Sequence, residues 1–251
     1  MKAMILAAGL GTRLRPLTDD RPKALVEVAG HTLLERTLQR LRSFGVREVI
    51  VNAHHFADRM TEYLRANDNF GMRIAISREE ELLDTGGGLK KAASFFLESA
   101  DRDEPFLVHN VDVLSTVDLA RMVAFHGERN ALATLAVQDR ATSRYLLFDG
   151  EGQLCGRRAG EQGEPEWARP SAVAQARAFC GIHVLSPRIF AAMREEGAFS
   201  IINAYLRLAS LGEKIVGFPA DAYYWRDLGR PESIAQAARD IDAGLYPALQ
   251  A

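Results

Sequence analysis

The 251-residue chain lacks the features that mark several large classes of protein. It has only two cysteines, Cys155 and Cys180, whose spacing fits no metal-binding motif, so we expect both to be free, reduced thiols. A net charge of −2 gives no general attraction to nucleic acid or to an anionic membrane. No apolar run reaches membrane-spanning length, and residues 4–8 are too short an apolar segment for a secretory leader. We therefore expect a cytoplasmic protein with no nucleic-acid or membrane partner.

The chain does carry enough apolar residues for a large core, because 47% of it is hydrophobic. Hydrophobic periodicity predicts strands that alternate with helices as far as residue 137, which favours an α/β fold. The expected architecture is a Rossmann-like, three-layer arrangement, with a mixed, mostly parallel central sheet covered on both faces. The predicted strands here are 4–8, 48–52, 72–78, 106–109 and 131–137, and the predicted helices are 32–44, 54–66, 89–97 and 119–128.

The second half of the chain has a different pattern. Residues 145–149 and 153–157 flank a Gly-Glu-Gly turn and predict a β-hairpin, and the polar residues 160–170 predict a surface loop. No change of composition marks a second independent domain. The further predicted elements are strands 179–185 and 214–218, helices 189–194 and 200–211, and a final helix that begins at Pro231.

The stretch 4–25, MILAAGLGTRLRPLTDDRPKAL, combines small residues with cations directly after the first predicted strand. Gly9 and Gly11 let an anion approach the backbone N–H groups, and Arg13 and Lys23 supply positive charge for a phosphate. This combination predicts a phosphate-binding loop.

The spacing of this loop excludes two well-known nucleotide-binding motifs. A P-loop needs Lys-Ser or Lys-Thr directly after its last glycine, whereas Thr12 and Arg13 follow Gly11. The dinucleotide-binding motif needs a third small residue where this chain has Leu14.

Other polar or small residues follow other predicted strands. Gly9, Asn52, Gly86 and Asp112 each come at or soon after a strand end. Ligands of mostly parallel sheets bind beyond the carboxyl ends of the strands, so we expect these four residues to share one crevice.

Two aspartates occupy apolar surroundings where a bare charge is costly. Asp112 ends the segment FLVHNVD, and Asp227 lies in YWRDLG. Residue chemistry alone allows Asp112 either to cap a turn or to hold a metal ion.

The pattern G-x-G-T-R-L-x-P-L-T, completed by P-K-A-L at residues 22–25, resembles the signature of the sugar-1-phosphate nucleotidyltransferases. The resemblance extends over nearly the whole chain, and it implies a glycosyltransferase-A-like fold with a β-rich lobe on the substrate side. It implies one domain over residues 1–251, divided into a nucleotide-binding half, 1–138, and a sugar-phosphate-side lobe with the C-terminal helix, 139–251.

The resemblance also implies roles for individual residues. Arg13 and Lys23 match the catalytic arginine and lysine, and Asp112 and Asp227 match two ligands of Mg²⁺. One departure is Val111, where the family usually has glycine before the first aspartate. The implied nucleotide-binding residues are Leu6, Ala7, Ala8, Gly9, Gly11, Thr12, Arg13, Thr85, Gly86 and Gly87, and the implied sugar-phosphate-binding residues are Asn110, Gly181 and Asn203.

The expected reaction joins a nucleoside triphosphate to a sugar 1-phosphate, gives a nucleotide-sugar and pyrophosphate, and uses Mg²⁺. The short length and the first nine residues are most similar to N-acetylmuramate-1-phosphate uridylyltransferases of cell-wall recycling, which implies UTP and an N-acetylmuramate-like sugar. GTP with mannose or heptose 1-phosphate is the next expectation. Two alternatives stay open: a cytidylyltransferase acting on a phospho-alcohol, and a non-catalytic nucleotide-sugar sensor.

Overall fold

A computed structural model describes residues 1–98 and 103–249 of the chain. Its α-helices are α1 (Leu33–Ser43), α2 (Ala57–Ala66), α3 (Asp84–Lys91), α4 (Ala93–Leu97), α5 (Leu119–Arg129), α6 (Ile189–Ala192), α7 (Ile201–Ser210) and α8 (Pro231–Asp242). Its strands are β1 (Lys2–Leu6), β2 (Glu27–Val28), β3 (His31–Thr32), β4 (Glu48–Ala53), β5 (Arg73–Arg78), β6 (Phe106–Asn110), β7 (Val113–Ser115), β8 (Ala133–Gln138), β9 (Arg144–Phe148), β10 (Leu154–Ala159), β11 (Pro165–Trp167), β12 (Gln175–Leu185), β13 (Ile215–Pro219) and β14 (Trp225–Asp227).

A mixed sheet lies at the centre of the protein, in the strand order β11-β10-β9-β12-β6-β1-β4-β5, and β8 joins β12 to β13. β1 pairs in parallel with β4 and β6, and β4 pairs in parallel with β5. β12 runs antiparallel to β6, β8 and β9. The predicted fold class is therefore confirmed.

Side chains alternate across this sheet, as a strand requires. In β1, Ala3 and Ile5 pack into one core cluster with residues of α1, α2, α5 and α8. Met4, between them, packs into a second cluster with residues of α3, α4 and α7. Each face of the sheet is covered by helices, which gives the three predicted layers.

The β-rich lobe is part of the same sheet. β9 and β10 form the predicted antiparallel hairpin. The first residues of β12 pair with β9, and its last residues pair with β6, so this long strand joins the hairpin to the parallel strands. The predicted loop 160–170 contains the short strand β11, which pairs with β10, and in that respect the prediction was wrong.

Two helix boundaries also differ from the prediction. The helix predicted from residue 54 begins at Ala57, because Phe56 before it has a left-handed backbone with φ 58°. The helix predicted over 89–97 is two helices, and the first begins five residues earlier, at Asp84. The glycines at 86–88 therefore lie inside a helix rather than in a loop before it.

Within the described ranges, no helix combines the length and apolar character needed to cross a membrane. Cys155 and Cys180 are both buried and free, as expected.

Candidate active site

A crevice of about 310 Å³ opens at the carboxyl ends of the parallel strands. Leu6 at the end of β1 lies in register with Asn52 of β4 on one side and with Asn110 of β6 on the other. Three neighbouring strands therefore deliver their next residues to the same edge of the sheet. The crevice is lined by Leu6, Ala7, Ala8, Gly9, Lys23, Asn52, Leu82, Asp84, Thr85, Asn110, Val111 and Asp112.

The loop after β1 has the conformation that its glycines permit. Gly11 has φ +66°, and a Cβ there would lie only 2.9 Å from Thr18 Cγ2, so a larger residue would be strained and crowded. Thr18 Oγ1 donates a hydrogen bond to the Gly11 carbonyl oxygen, which closes the loop. Thr12 and Arg13, both exposed, begin the short turn that follows.

The N–H groups of this loop are not equivalent. The Ala7 N–H donates to Asn52 Oδ1 over 2.7 Å, so it is committed to the protein and is not open to a phosphate. The N–H groups of Ala8 and Gly9 have no protein acceptor among the described residues. The N–H groups of the loop that are open to a ligand thus begin at Ala8.

Lys23 lies in a short helical turn after Pro22, and only 8% of the residue is exposed. Its Nζ donates a hydrogen bond to Asp112 Oδ2, and the two groups form a salt bridge. The signature lysine and the first predicted metal ligand are therefore direct partners, although 89 residues separate them in the chain.

Asp227 reaches the same place through a small β-ribbon beside the main sheet. β14 pairs antiparallel with β7, with Asp227 opposite Val113, and the Leu228 N–H donates to the Asp112 carbonyl oxygen over 2.7 Å. Backbone pairing therefore brings the segments that carry the two aspartates together.

Arg13 approaches Asp227 at Gly229. A Cβ on Gly229 would lie 2.7 Å from Asp227 Oδ1 and 2.9 Å from Arg13 Nη2, so both groups are close to one point. The Gly229 N–H donates to Asp227 Oδ1 over 2.7 Å and holds the carboxylate in place. Lys23 and Asp112 line the crevice, whereas Arg13 and Asp227 do not and lie near each other beside Gly229.

The donor set of the two aspartates fits Mg²⁺. Asp112 and Asp227 offer hard carboxylate oxygens, which Mg²⁺ prefers together with phosphate oxygens and water. Across residues 1–98 and 103–249, no group of three or more His, Cys, Asp or Glu is placed to hold a metal ion. Val111 takes no positive φ and packs in the core, so valine is accommodated where the family usually has glycine.

The segment Thr85-Gly86-Gly87 contributes less surface to the crevice than predicted. Thr85 lines the crevice, whereas Gly86 and Gly87 are buried. A Cβ on Gly86 would lie 2.2 Å from Phe199 Cε2, and a Cβ on Gly87 would lie 2.3 Å from the Gly197 carbonyl oxygen. These glycines are needed because the segment before α7 packs directly on α3.

Two of the three predicted sugar-phosphate residues lie together. Gly181 has φ +74°, and its missing side chain leaves room for the Asn110 amide, which would be 2.9 Å from a Cβ there. Asn110 Oδ1 is buried without a partner in the described structure, and Asn110 lines the crevice. Asn203 does not line it, because this exposed residue of α7 accepts a hydrogen bond from Arg157 Nη1 on β10.

The buried histidines near this edge are uncharged at neutral pH. Burial lowers the pKa of His109 to about 4, and its Nδ1 faces the Asn110 carbonyl oxygen at 2.8 Å. Burial likewise lowers the pKa of His183 to about 3, and its Nδ1 contacts the Tyr205 hydroxyl at 2.8 Å. Positive charge at the site therefore comes from lysine and arginine.

Several residues of the site were missing from the predicted set. Leu82 and Asp84 line the crevice, and Glu79 is a buried carboxylate behind it. Asn52 was expected in the crevice but without a role. Glu79 directly follows β5, so its position at a strand end was a signal that sequence alone could have provided.

Comparisons with known proteins show the family to which the chain belongs. The profile of the nucleotidyl transferase family matches residues 2–244. The chain is 36% identical over 251 residues to an N-acetylmuramate alpha-1-phosphate uridylyltransferase of Caulobacter vibrioides, covering 96% of this chain and 97% of that protein. It is 29% identical to a mannose-1-phosphate guanyltransferase of Yarrowia lipolytica, covering 92% of this chain and 61% of that protein. The crystal structure of HddC from Yersinia pseudotuberculosis complexed with GMP-PN shares the fold, with a TM-score of 0.74, 22% identity, and coverage of 96% of this chain and 99% of that one. The chain therefore belongs to the nucleotidyl transferase family.

Proposed function

We propose that the protein transfers a uridylyl group from UTP to an N-acetylmuramate-like sugar 1-phosphate, giving a UDP-sugar and pyrophosphate in a Mg²⁺-dependent reaction. The observations that support the chemistry are the Lys23–Asp112 salt bridge in the crevice, the backbone pairing that brings the Asp227 segment to Asp112, and the approach of Arg13 to Asp227 at Gly229. The choice of UTP and of this sugar is supported by the Caulobacter vibrioides relative, which matches the chain over almost its full length.

These residues and the loop after β1 have different roles in the reaction. The free N–H groups of Ala8 and Gly9 bind the polyphosphate, and Arg13 binds the β- and γ-phosphates that leave as pyrophosphate. Lys23 neutralises charge that develops at the α-phosphate as the sugar phosphate oxygen attacks it. Asp112 and Asp227 would hold Mg²⁺, which as a Lewis acid offsets phosphate charge when it is bound.

The two halves of the chain contribute the two substrates. Residues 1–138 provide the nucleotide side of the crevice, and residues 139–251 provide Gly181, which shapes the position of Asn110, together with Asp227. Catalysis then consists of positioning two phosphates in line and stabilising charge, with no covalent intermediate on the protein. The cytoplasm, as the compartment of nucleoside triphosphates, is the proposed location, and cell-wall precursor metabolism is the proposed role.

A pyrophosphate-release assay tests the proposal. The protein is incubated with Mg²⁺, each of four nucleoside triphosphates and a panel of sugar 1-phosphates, with the Asp227→Asn variant as the control. We expect the fastest release with UTP and N-acetylmuramate 1-phosphate. The Yarrowia lipolytica relative supports a second candidate, which fastest release with GTP and mannose 1-phosphate would favour.

Two other outcomes would overturn the proposal. Release only with CTP and a phospho-alcohol would make the protein a cytidylyltransferase. No release with any pair, together with nucleotide-sugar binding, would make it a sensor.

A further inference from the structure

Behind the crevice, Glu79 links two of its walls. Only 4% of this residue is exposed. It accepts one hydrogen bond from Asn52 Nδ2 over 2.7 Å on Oε1, and another from the Leu83 N–H over 3.0 Å on Oε2. A buried carboxylate is costly unless its oxygens are satisfied, so these two contacts hold it firmly.

The first contact connects Glu79 to the loop after β1. Because the carboxylate can only accept, the Asn52 amide must present its NH₂ group to Glu79 and its oxygen to the Ala7 N–H. Glu79 thereby fixes which way the amide of Asn52 points, and through it the start of the loop at Ala7.

The second contact connects Glu79 to the opposite wall. Leu83 immediately precedes α3, and its neighbours Leu82, Asp84 and Thr85 line the crevice. Gly88 of α3 leaves the space for this arrangement, because a Cβ there would lie 2.7 Å from Glu79 Oε1 and 2.8 Å from Asn52 Nδ2.

The residues that line the crevice are of two chemical kinds. Lys23 and Asp112 are charged groups, which suit phosphates and a metal ion. The walls that Glu79 joins, with Ala7 on one side and Leu82 on the other, carry apolar surface that suits a flat nucleobase. A base bound between these walls would depend on the distance between them more than a phosphate bound to Lys23 would.

We propose that Glu79 is a positioning residue that sets the spacing between these two walls and so determines how well the protein discriminates between nucleobases. This inference rests on the proposed function, because it takes the ligand to be a nucleoside triphosphate. It does not depend on which base the protein prefers. Glu79 acts through Asn52 and Leu83, without touching the base.

Direct binding measurements on the full-length protein test this inference. Isothermal titration calorimetry gives dissociation constants for UTP, GTP, CTP and inorganic tripolyphosphate with the parent protein, Glu79→Gln and Glu79→Ala. Glu80→Ala is the matched control, because it removes an exposed carboxylate from the next position. Glu79→Gln keeps the shape of the side chain, so it provides a folded variant should Glu79→Ala unfold.

Glutamine can satisfy only one of the two donors, because its NH₂ group must face either Asn52 Nδ2 or the Leu83 N–H. We expect Glu79→Gln to weaken binding of the preferred nucleotide about tenfold and to bring the ratio between the best and poorest bases toward one. Tripolyphosphate affinity should fall by less, because Asn52 bonds to the Ala7 N–H and not to the N–H groups of Ala8 and Gly9. Glu80→Ala should match the parent protein.

Two results would overturn the inference alone: parent-like base discrimination in both Glu79 variants, or an equal loss of nucleotide and tripolyphosphate affinity, which would indicate general damage. A parent protein that binds no nucleoside triphosphate would instead overturn the proposed function, and this inference with it.

Discussion

Replacing Lys23 with methionine tests two roles of this lysine, its salt bridge with Asp112 and its stabilisation of charge at the reacting phosphate. In the free protein Lys23 is the salt-bridge partner of Asp112, with side chains 10% and 20% exposed. Asp112 is also a proposed Mg²⁺ ligand, so the ammonium group and the divalent ion compete for the same carboxylate. Lys23→Met should therefore strengthen divalent-ion binding to the nucleotide-free protein while it slows the reaction.

The size of both effects follows from the geometry. Two unit charges about 4 Å apart attract by about 4 kcal/mol at an effective dielectric constant of about 20, and desolvation offsets much of this. When about 1.4 kcal/mol of the Lys23–Asp112 attraction opposes binding of the metal ion, removing the lysine charge strengthens metal binding about tenfold. Loss of one preorganised cation at the reacting phosphate typically slows turnover by about 10²–10³-fold. Nucleotide affinity should fall by less, because the charge that Lys23 stabilises is greatest in the transition state.

Electron paramagnetic resonance of Mn²⁺ measures the metal affinity of the nucleotide-free protein, and steady-state kinetics measure turnover. Lys91→Met is the control, because Lys91 lies on the exposed face of α3 and donates to the Arg78 carbonyl oxygen. Unchanged or weaker Mn²⁺ binding in Lys23→Met would refute the idea that Lys23 and the metal ion compete for Asp112. A loss confined to nucleotide affinity would show that Lys23 stabilises the bound nucleotide but not the transition state.

Three further predictions concern the site and the buried histidines. Asp227→Asn should lower turnover about 10²–10³-fold while the melting temperature stays within about 2 °C, and near-normal rates at ordinary Mg²⁺ would contradict this. Gly229→Ala should lower kcat about tenfold, because the new methyl group would displace Asp227 and Arg13, and a parent-like kcat would count against that reasoning. Burial lowers the pKa of His109 to about 4 and of His183 to about 3 from an ordinary value of 6.5, so below pH 6.5 the unfolded chain binds more protons than the folded one. The free energy of unfolding should thus fall by about 2 kcal/mol for each histidine at pH 5, and a melting temperature that stays constant between pH 7.5 and 5 would contradict this.

Local periodicity predicted the central part of the fold well. The strands of the parallel region and helix α1 appear within two residues of their predicted bounds, because each has one clear apolar face. The segment around Gly86 was predicted less well. Three consecutive glycines argue against a helix by propensity, and α3 forms there because Phe199 and Gly197 pack against the space that those glycines leave. That tertiary contact, more than 100 residues away, has no local signal.

In the candidate site, too, local patterns were predicted and tertiary contacts were not. The resemblance to the family predicted Lys23, Asp112 and Asp227 for one site, and the structure places Lys23 against Asp112 and pairs the Asp227 segment with the Asp112 segment. The contacts that these residues make could not be predicted from the sequence. The direct bond between Lys23 and Asp112, and the hydrogen bond that commits the Ala7 N–H to Asn52, depend on which side chains face each other across strands.

The small ribbon of β7 and β14 makes the order of synthesis matter. Its second strand ends at residue 227, and Arg226 of this strand forms a salt bridge of 2.7 Å with Asp240 of α8. A nascent chain can pair β1, β4, β5 and β6 long before Asp227 leaves the ribosome, so it can fold most of a nucleotide pocket that has only one of its two acidic groups. Such a partial product would be inert, and activity would appear only when β14 and α8 have docked.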